Sequence, residues 1–213
     1  MQKKKQKISS AVIRRLPRYY RYLHTLIEEG VDRISSAELS RRMNVTASQI
    51  RQDLNHFGGF GQQGYGYNVL YLRKEIGKVL GLDREHSMAV IGVGNLGKAL
   101  VRSQDFRKKG FFVTALFDCD PEVIGKQYCG CTVRDTDEII SYLKDNPVDI
   151  GVLTVPKQNA EKLAGQLIEA GVKAIWNFAH CELETPADVV VENVYLVDSL
   201  MRLSYKDTHR DKK

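Results

Sequence analysis

A glycine-rich turn after a short apolar run is the feature that most restricts how this chain can fold. Residues 90–97 read VIGVGNLG, so Gly92, Gly94 and Gly97 have the spacing of a dinucleotide-binding turn. The apolar run 87–92 predicts a buried parallel strand, and residues 95–103 predict a helix that starts from the turn. In such a turn, Gly92 would allow the sharp bend, Gly94 would let the backbone approach a pyrophosphate, and Gly97 would let helix and strand pack closely.

An acidic residue at the end of the next predicted strand supports this interpretation. Asp118 follows the apolar segment FFVTALF and lies 21 residues beyond Gly97, the spacing at which such an acid binds the adenosine ribose. A carboxylate there accepts hydrogen bonds from ribose hydroxyls and repels a 2′-phosphate, so we expect NAD(H) rather than NADP(H); the alternative is a purely structural Asp118. The nucleotide contacts predicted here are Gly92, Val93, Gly94, Asn95, Leu96, Gly97, Asp118 and Cys119.

The remainder of this half alternates between apolar runs and helical patterns. The predicted strands are 130–133, 148–156, 172–178 and 188–194, and the predicted helices are 136–144 and 157–170. This alternation predicts an α/β fold with a doubly wound parallel sheet of the Rossmann type. Because ligands bind at the carboxyl ends of such strands, we expect the nicotinamide side to be lined by Thr154, Val155, Pro156, Asn177 and Phe178.

The two halves of the chain differ in charge. Residues 1–84 contain 16 Lys and Arg against 7 Asp and Glu, a net charge of +9, whereas residues 85–213 have a net charge of −3. Such asymmetry is typical of a nucleic-acid-binding module joined to a sensor or an enzyme. The cluster 3–7 would add salt-sensitive DNA affinity or form a solubilising tail. We therefore expect a DNA-binding domain over 1–84, a nucleotide-binding domain over 85–193 and a dimerisation segment over 194–213.

The basic half has the pattern of a helix-turn-helix. Apolar residues recur at helical spacing across 8–30, where Pro17 is expected to kink the helix or to start a second segment. Ser35 with Glu38, and Thr46 with Gln49, have capping-box spacing, so two further helices begin close together with residues 43–45 between them. The apolar face predicted for the first helix consists of Val12, Ile13, Leu16, Tyr19, Tyr20, Leu23, Leu26 and Ile27.

The second helix of this motif carries polar side chains of the kind that bind base edges. Arginine suits guanine, and glutamine or asparagine suits adenine; a solvated polar face is the alternative interpretation. The segment GGFGQQGYGYNV that follows predicts a β-hairpin, which would make the unit a winged helix. The predicted DNA contacts are Thr46, Ser48, Gln49, Arg51, Gln52, Asn55, Gln62, Gln63 and Tyr65.

The end of the chain favours a sensor over an enzyme. Only about twenty residues follow the last predicted strand, too few for a substrate domain. His180 follows a strand at the nucleotide edge, either as a general base or as a surface residue. The final segment predicts a helix that is too apolar around its circumference for one surface, so we expect it to pack between the subunits of a homodimer. Its apolar residues are Val194, Leu196, Val197, Leu200, Met201, Leu203 and Tyr205.

Cysteine spacing argues against a zinc protein, and hydropathy argues against a membrane protein. Cys119, Cys129, Cys131 and Cys181 lack the C-x-x-C spacing of a zinc site, so no metal is predicted. They are either reduced structural thiols or, for Cys119 beside the expected ribose, a redox-responsive group. No stretch reaches about 18 uncharged apolar residues, and the chain starts with a basic, polar segment, so we expect a cytoplasmic protein without a membrane segment.

Seven segments in this order resemble the Rex family of bacterial redox-sensing transcriptional repressors: RLPRYYRYL, SSAELS, IRQDLNHFG, GYGYNV, GVGNLG, LTVP and NFA. The resemblance covers nearly the whole chain. It implies a homodimer with an N-terminal winged helix, a Rossmann domain and a terminal helix swapped between subunits, with no catalysis and no small-molecule substrate. It also implies binding to palindromic operator DNA when NADH is scarce and release when NADH binds.

One feature of the family is only partly matched. Family members commonly join an arginine of the first helix, a tyrosine after the glycine turn and an aspartate of the swapped helix in a hydrogen-bonded switch. By spacing, these positions are Arg21, Ser103 and Tyr195, so the arginine matches and its two partners do not. Two alternatives to an NADH-released repressor therefore stay open: a constitutive or differently tuned repressor, and an NAD-dependent oxidoreductase that carries a DNA-binding appendage.

Overall fold

The structure, a computed structural model, divides the chain into two compact units, Met1–Arg84 and Glu85–Lys213. It describes residues 8–55, 61–62 and 65–209, and only the backbone of 61–62. Gln63, the side chain of Gln62 and the basic cluster 3–7 lie outside what is described. Within the described ranges, no helix has the length and apolar character needed to span a membrane.

The first unit combines helices with a small antiparallel sheet. The strand β3 lies between β1 and β2 and pairs with both. A helix-turn-helix is thus followed by a hairpin, in the predicted order, whereas β1 and α4 had no counterpart in the prediction. The elements are α1 (Ser10–Glu28), β1 (Arg33–Ile34), α2 (Ser36–Met43), α3 (Ala47–Asn55), β2 (Gly61–Gln62), β3 (Gly66–Asn68) and α4 (Val69–Val79).

Side-chain caps define the helix-turn-helix. The Ser35 hydroxyl accepts a hydrogen bond from the Glu38 N–H at 3.1 Å, and the Thr46 hydroxyl accepts one from the Gln49 N–H at 3.2 Å. Both predicted helix starts are therefore confirmed. Asn44 ends α2 in the left-handed conformation with φ of +52°, which asparagine tolerates better than most residues.

The long first helix differs from the prediction at two positions. Pro17 lies inside α1, which continues on both sides of it, so Pro17 does not start a second helix. Ile13 was assigned to the buried face but is 46% exposed. The buried face of α1 instead runs through Val12, Leu16, Tyr19, Leu23 and Leu26, which pack with residues of α2, α3 and α4 in one core.

The second unit is a seven-stranded sheet with helices. Its strand order is β10-β9-β8-β4-β5-β7-β6, in which β6 and β7 are antiparallel and the other neighbouring strands are parallel. The predicted Rossmann-like parallel sheet is thereby confirmed. The elements are β4 (His86–Ile91), α5 (Asn95–Arg102), α6 (Gln104–Arg107), β5 (Phe111–Asp118), β6 (Gln127–Tyr128), β7 (Cys131–Asp135), α7 (Ile139–Asp145), β8 (Ile150–Leu153), α8 (Lys157–Glu169), β9 (Ala174–Asn177), β10 (Val190–Asn193) and α9 (Leu196–Thr208).

The strand order places the carboxyl ends of three strands side by side. The first strand, β4, pairs with β5 on one side and with β8 on the other. The chain therefore crosses to opposite sides of β4, and a crevice forms where the direction changes. Gly92, Asp118 and Thr154 follow or end these three strands at the same edge. Buried apolar clusters that include residues from β4, β5 and β8 hold the strands in place.

The terminal helix α9 is apolar and exposed. It has no buried residue, although apolar side chains cover more than half of its circumference. Leu200 and Met201 are 62% and 63% exposed. Among residues 8–55 and 65–209, no surface covers this apolar helix, and the predicted exchange between subunits remains a prediction.

Candidate nucleotide-binding site and DNA-binding surface

The glycine turn after β4 is shaped by contacts that exclude larger residues. Gly92 has φ of +92°, and a Cβ atom there would lie 2.6 Å from the carbonyl oxygen of Thr154. At Gly97, a Cβ atom would lie 2.1 Å from the carbonyl oxygen of Gly92, so only glycine allows α5 to start this close to the strand. A Cβ atom at Gly94 would meet nothing within 4 Å, which leaves the backbone there open to a ligand.

Asp118 is bound to this turn. Its Oδ2 accepts a hydrogen bond from the Val93 N–H at 2.6 Å, and its Oδ1 accepts one from the Asp120 N–H at 3.0 Å. The Val93 side chain is fully buried, so this residue contributes its backbone rather than its side chain to the site. The acid at the end of β5 and the glycine turn after β4 therefore form one structural element.

A cavity of about 370 Å³ opens beside these residues. The Thr154 hydroxyl donates to the Gly92 carbonyl oxygen at 2.6 Å and closes one side. Seven predicted contacts line the cavity, together with four residues that were not predicted: Thr136, Asn159, Lys162 and Leu163. The seven are Gly92, Gly94, Asp118, Cys119, Thr154, Val155 and Pro156.

Three of the five residues expected on the nicotinamide side line the cavity. Thr154, Val155 and Pro156 line the same cavity as Asp118 and Cys119, which is the end expected to hold the adenosine. The remaining two residues of that prediction, Asn177 and Phe178, do not line this cavity.

Asn177 and Phe178 are engaged within the fold. Asn177 is fully buried; its amide donates to the Cys181 carbonyl and to Asn193 Oδ1, both at 2.8 Å, and its Oδ1 accepts from the Ala179 N–H at 3.0 Å. The Phe178 ring packs edge-on against Trp176, with 4.6 Å between the centroids. Asn177 thus joins β9 to β10 and to the loop after β9, and neither residue belongs to the wall of this cavity.

The α3 helix presents a polar face in the first unit. Ser48, Arg51, Gln52 and Asn55 are exposed, as predicted for a surface that could contact DNA, and Thr46 and Tyr65 are also exposed. Arg51 donates to the Ser36 hydroxyl at 3.2 Å, which steadies its guanidinium at the front of α2. Gln49 differs from its neighbours because its amide donates to Asp53 Oδ1 at 2.8 Å and is only half-exposed.

Asp53 is a buried carboxylate that fixes α3 to α1. Arg15 binds it with two hydrogen bonds of 2.7 Å, and the Tyr19 hydroxyl donates at 2.8 Å. Burial acts to raise the pKa of Asp53, but the hydrogen bonds from Arg15, Tyr19 and Gln49 outweigh it and hold that pKa below its ordinary value. Bidentate pairing of this kind adds geometric specificity, so the cluster sets the orientation of the helix that carries the polar face.

Curated relatives match nearly the full chain. A protein of Caldicellulosiruptor saccharolyticus is 53% identical over 203 residues, which cover 95% of this chain and 93% of the relative. A protein of Clostridium perfringens is 49% identical over 210 residues, which cover 99% of both chains. Both are redox-sensing transcriptional repressors named Rex. The chain belongs to the Rex family of redox-sensing transcriptional repressors. It is a regulator and not an enzyme.

Solved structures agree with this assignment. A crystal structure of RSP in complex with β-NAD⁺ and operator DNA is 50% identical and covers 97% of this chain, with a TM-score of 0.91. RSP in complex with β-NADH is 47% identical and has a TM-score of 0.90 over 97% of both chains. Two family models also match: "Putative DNA-binding protein N-terminus" over residues 7–55 and "CoA binding domain" over residues 83–181.

The three positions that spacing assigned to the family's switch lie on different elements. Arg21 is exposed on α1. Ser103 connects α5 to α6 and lines a second, small cavity of about 40 Å³. Tyr195 directly precedes α9 and stacks on His180, with 6.2 Å between ring centroids and an interplanar angle of 23°. Partial burial raises the pKa of the Tyr195 hydroxyl, and the nearby Glu182 adds to the rise.

His180 and the cysteines show no catalytic or metal arrangement. His180 is exposed and contacts Tyr195 rather than the nucleotide cavity. All four cysteines are unbridged, and Cys119 is exposed at the cavity wall. Among the described residues, no group of three or more His, Cys, Asp or Glu side chains could hold a metal ion.

Proposed function

We propose that this chain binds operator DNA as a homodimer through α3 and the hairpin that follows it, and that NAD(H) in the cavity beside Gly92 and Asp118 sets the DNA affinity. The observation that carries the proposal is the similarity, over 97% of the chain, to RSP bound to β-NAD⁺ and operator DNA. The glycine turn, the acid and the polar α3 face of this chain supply the corresponding chemistry.

The described residues fit a dinucleotide. The first intrahelical hydrogen bond of α5 runs from the Lys98 N–H to the Gly94 carbonyl, so the N–H groups at the start of the helix point towards the open backbone of Gly94. Such groups bind a pyrophosphate. Asp118 keeps acceptor capacity beyond its two backbone bonds, and ribose hydroxyls can use it. Lys162 supplies a positive charge on the cavity wall.

The adenosine end of the nucleotide is assigned to the cavity shared by Asp118, Thr136 and Val155. Asp118 ends β5, whereas Thr136 and Val155 follow β7 and β8. In the sheet, β8 lies on one side of β4, and β5 and β7 lie on the other. The nicotinamide would then lie on the other side of Gly94 from the adenosine, away from Asp118, Thr136 and Val155. This arrangement moves Thr154, Val155 and Pro156 from the nicotinamide side to the adenosine side of the proposed site.

NAD(H) can alter DNA binding only by preferring one arrangement of the protein. A nucleotide that binds two arrangements equally shifts neither population. A coupling free energy of about 1–3 kcal/mol would change operator affinity roughly 5- to 150-fold. We propose that NADH favours an arrangement in which two recognition helices cannot engage the two halves of one palindromic operator at once.

Dimerisation is proposed to use α9. Its exposed apolar residues, which include Leu196, Leu200 and Leu203, share one helix, and clustered exposed apolar residues mark an interaction surface. Insertion of α9 into a second copy would bury this surface and would be the exchange predicted from the sequence. A dimer also supplies the two helix-turn-helix units that two half-sites require.

A second candidate is a repressor whose response to the nucleotide is absent or altered. Ser103 and Tyr195 favour it. Ser103 lacks the phenol that the family's tyrosine supplies at this position, and Tyr195 lacks the carboxylate that the family's aspartate supplies. Tyr195 instead stacks on His180. This candidate keeps operator binding and differs only in the coupling.

One titration separates the two candidates. A duplex selected from a random pool by the purified protein is titrated by fluorescence anisotropy without nucleotide, with NAD⁺ and with NADH. We expect NADH to weaken binding at least several-fold relative to the other two conditions. Equal affinity in all three conditions would leave the constitutive repressor, and absence of any selected duplex would reject both. Calorimetry with NADH and NAD⁺ establishes whether each nucleotide was bound.

A further inference from the structure

Two cysteines lie at the tight turn between β6 and β7, one within the turn and one at the start of β7. Tyr128 and Cys131 are partners in the antiparallel pairing of these strands, so Cys129 and Gly130 form a two-residue connection. Cys129 has φ of +50° and Gly130 has φ of +87°, the geometry of a type I′ turn. Non-glycine residues rarely have positive φ, so the turn holds Cys129 in an unusual backbone conformation.

The Cys131 thiol contacts Val113 of β5, and Cys129 lines a small cavity that Val113 also lines. Cys131 Sγ is 3.4 Å from the Val113 carbonyl oxygen, to which it donates. Cys129 and Val113 line the same small cavity, and so does Arg107. Burial raises the pKa of the Cys131 thiol, the nearby Cys129 adds to the rise, and Arg107 opposes it. The pair therefore combines an exposed thiol at Cys129 with a half-buried one at Cys131.

We propose that Cys129 and Cys131 form a reversible intramolecular disulfide when the chain reacts with a peroxide. Consecutive Cα atoms are about 3.8 Å apart, so two residues that flank one residue in a tight turn are roughly 5.4 Å apart. A disulfide bridges Cα separations of about 4.4–6.8 Å. The turn thus places the two Cα atoms at a separation that a disulfide can bridge.

The reaction proceeds in two balanced steps. The Cys129 thiolate attacks one peroxide oxygen, the O–O bond breaks, and the leaving hydroxide takes a proton to form water, which leaves Cys129 as a sulfenic acid. The Cys131 sulfur then attacks the Cys129 sulfur, the S–O bond breaks, and the leaving hydroxide takes the Cys131 proton to form a second water. Two thiols are oxidised and one peroxide is reduced; a dithiol reverses the reaction.

This pair lies outside the proposed nucleotide cavity and close to a switch position. Ser103 lines the same small cavity as Cys129, whereas Cys119 lines the nucleotide cavity. Oxidation would also withdraw the Cys131 thiol from the Val113 carbonyl. The second unit would then respond to oxidants at a place separate from the site that is proposed to bind NAD(H), and this inference does not depend on that site.

Tryptic digestion gives a direct test, because residues 127–134 form one peptide, QYCGCTVR, that contains both thiols. The reduced full-length protein is treated with hydrogen peroxide, alkylated, digested and analysed by mass spectrometry. We expect this peptide to carry no alkyl group and to be lighter than its reduced form by two hydrogen atoms. Dithiothreitol before alkylation should restore two alkylated cysteines.

Variants distinguish this pair from the other thiols. A Cys119→Ser, Cys181→Ser double variant should give the same modified peptide as the natural sequence. Cys129→Ser, a change at an exposed turn position, should leave Cys131 fully alkylated after peroxide. Two alkyl groups on the peroxide-treated natural peptide, sulfinic acid without a disulfide, or a bridge to Cys119 would each overturn the proposal.

Discussion

The Val93 N–H donates a hydrogen bond to Asp118, with 2.6 Å between Val93 N and Asp118 Oδ2. This bond joins the glycine turn after β4 to the end of β5 without the help of a ligand. The Asp120 N–H holds the other carboxylate oxygen at 3.0 Å. The orientation of the carboxylate is thus set before a nucleotide binds, and preorganisation of this kind reduces the ordering cost of binding.

Replacement of Asp118 should therefore weaken nucleotide binding and relax its selectivity. In Asp118→Asn, the amide group cannot accept at both positions, and the negative charge that repels a 2′-phosphate is lost. A hydrogen bond to a charged group contributes about 1.5–3 kcal/mol, so we expect NADH affinity to fall roughly 10- to 100-fold. The ratio of NADH to NADPH affinity should fall as well, as measured by calorimetry.

Asp120→Asn is the matched control, because it removes the same charge from an exposed neighbour, whose carboxylate accepts a hydrogen bond from the Glu122 N–H at 2.9 Å. It should bind both nucleotides as the natural sequence does. An Asp118→Asn protein with unchanged NADH affinity would show that Asp118 serves the turn alone.

Gly97→Ala should abolish nucleotide binding without loss of the DNA-binding unit. The added Cβ atom would lie 2.1 Å from the Gly92 carbonyl oxygen, which is backbone and cannot rotate away. The start of α5 must therefore move, and the turn loses its shape. We expect no NADH signal in calorimetry, while operator affinity without nucleotide stays within about threefold, since the change lies in the other unit.

Gly165→Ala provides the control for this change. Gly165 lies in the interior of α8, and a Cβ atom there would meet nothing within 4 Å. Alanine inside a helix is more stable than glycine by about 0.5–1 kcal/mol. This variant should bind NADH normally and should unfold at a slightly higher temperature, so a defect in both variants would argue against a specific role for Gly97.

The parts of the site that were predictable from sequence are those built by local backbone geometry. Gly97 and Asp118 belong to a motif whose spacing reflects one strand, one turn and the next strand. Asn159 and Lys162 were missed because α8 reaches the cavity only once β8 pairs with β4, and a single sequence does not reveal that sheet order. The hydrogen bond from Gln49 to Asp53 was also missed. Asp53 is held in the core by Arg15 and Tyr19, which are distant in sequence, and a single sequence does not reveal such contacts.

Asp53→Asn should destabilise the first unit in a pH-dependent way. The folded-state pKa of Asp53 lies below its ordinary value, so its stabilisation is complete above the pKa of the unfolded carboxyl, about 3.9, and is lost as the pH falls through the folded value. Because the Arg15 side chain is 34% exposed, solvent weakens the ion pair, and we expect a loss of about 1.5–3 kcal/mol, the range for a hydrogen bond to a charged group. The difference in urea midpoint between the two proteins should be large at neutral pH and should shrink in acid.

Asp188→Asn tests whether any aspartate would behave in this way. Asp188 pairs with Lys173 at 2.8 Å, but both side chains are exposed, and exposed ion pairs contribute little. Its urea midpoint should remain close to that of the natural sequence at every pH. A gap between the Asp53→Asn and natural proteins that stays constant into strong acid would contradict the assignment of the effect to the Asp53 charge.

Two glutamines on α3 should respond differently to alanine. Gln52 is exposed, whereas the Gln49 amide donates to the buried Asp53 at 2.8 Å. If Gln52 contacts a base edge, Gln52→Ala should lower operator affinity by about 1–3 kcal/mol and leave the urea midpoint unchanged. Gln49→Ala should lower the stability of the unit by about 1 kcal/mol.

Both variants are measured by anisotropy on the selected operator and on a scrambled duplex. Loss of affinity for the operator alone identifies base recognition by Gln52, and an equal loss on both duplexes identifies a backbone contact. Unchanged binding by Gln52→Ala would remove this residue from the proposed DNA surface.

Charge placed on the apolar face of α9 should dissociate the proposed dimer. Leu200 is 62% exposed, and burial of an aspartate at this position against a second copy would require desolvation of its charge. Leu200→Asp should therefore sediment as a monomer and lose most of its operator affinity, because one helix-turn-helix contacts one half-site. Arg202→Asp, on the polar side of the same helix, should remain dimeric. A Leu200→Asp protein that stays dimeric and binds operator DNA normally would place the subunit contact elsewhere in the chain.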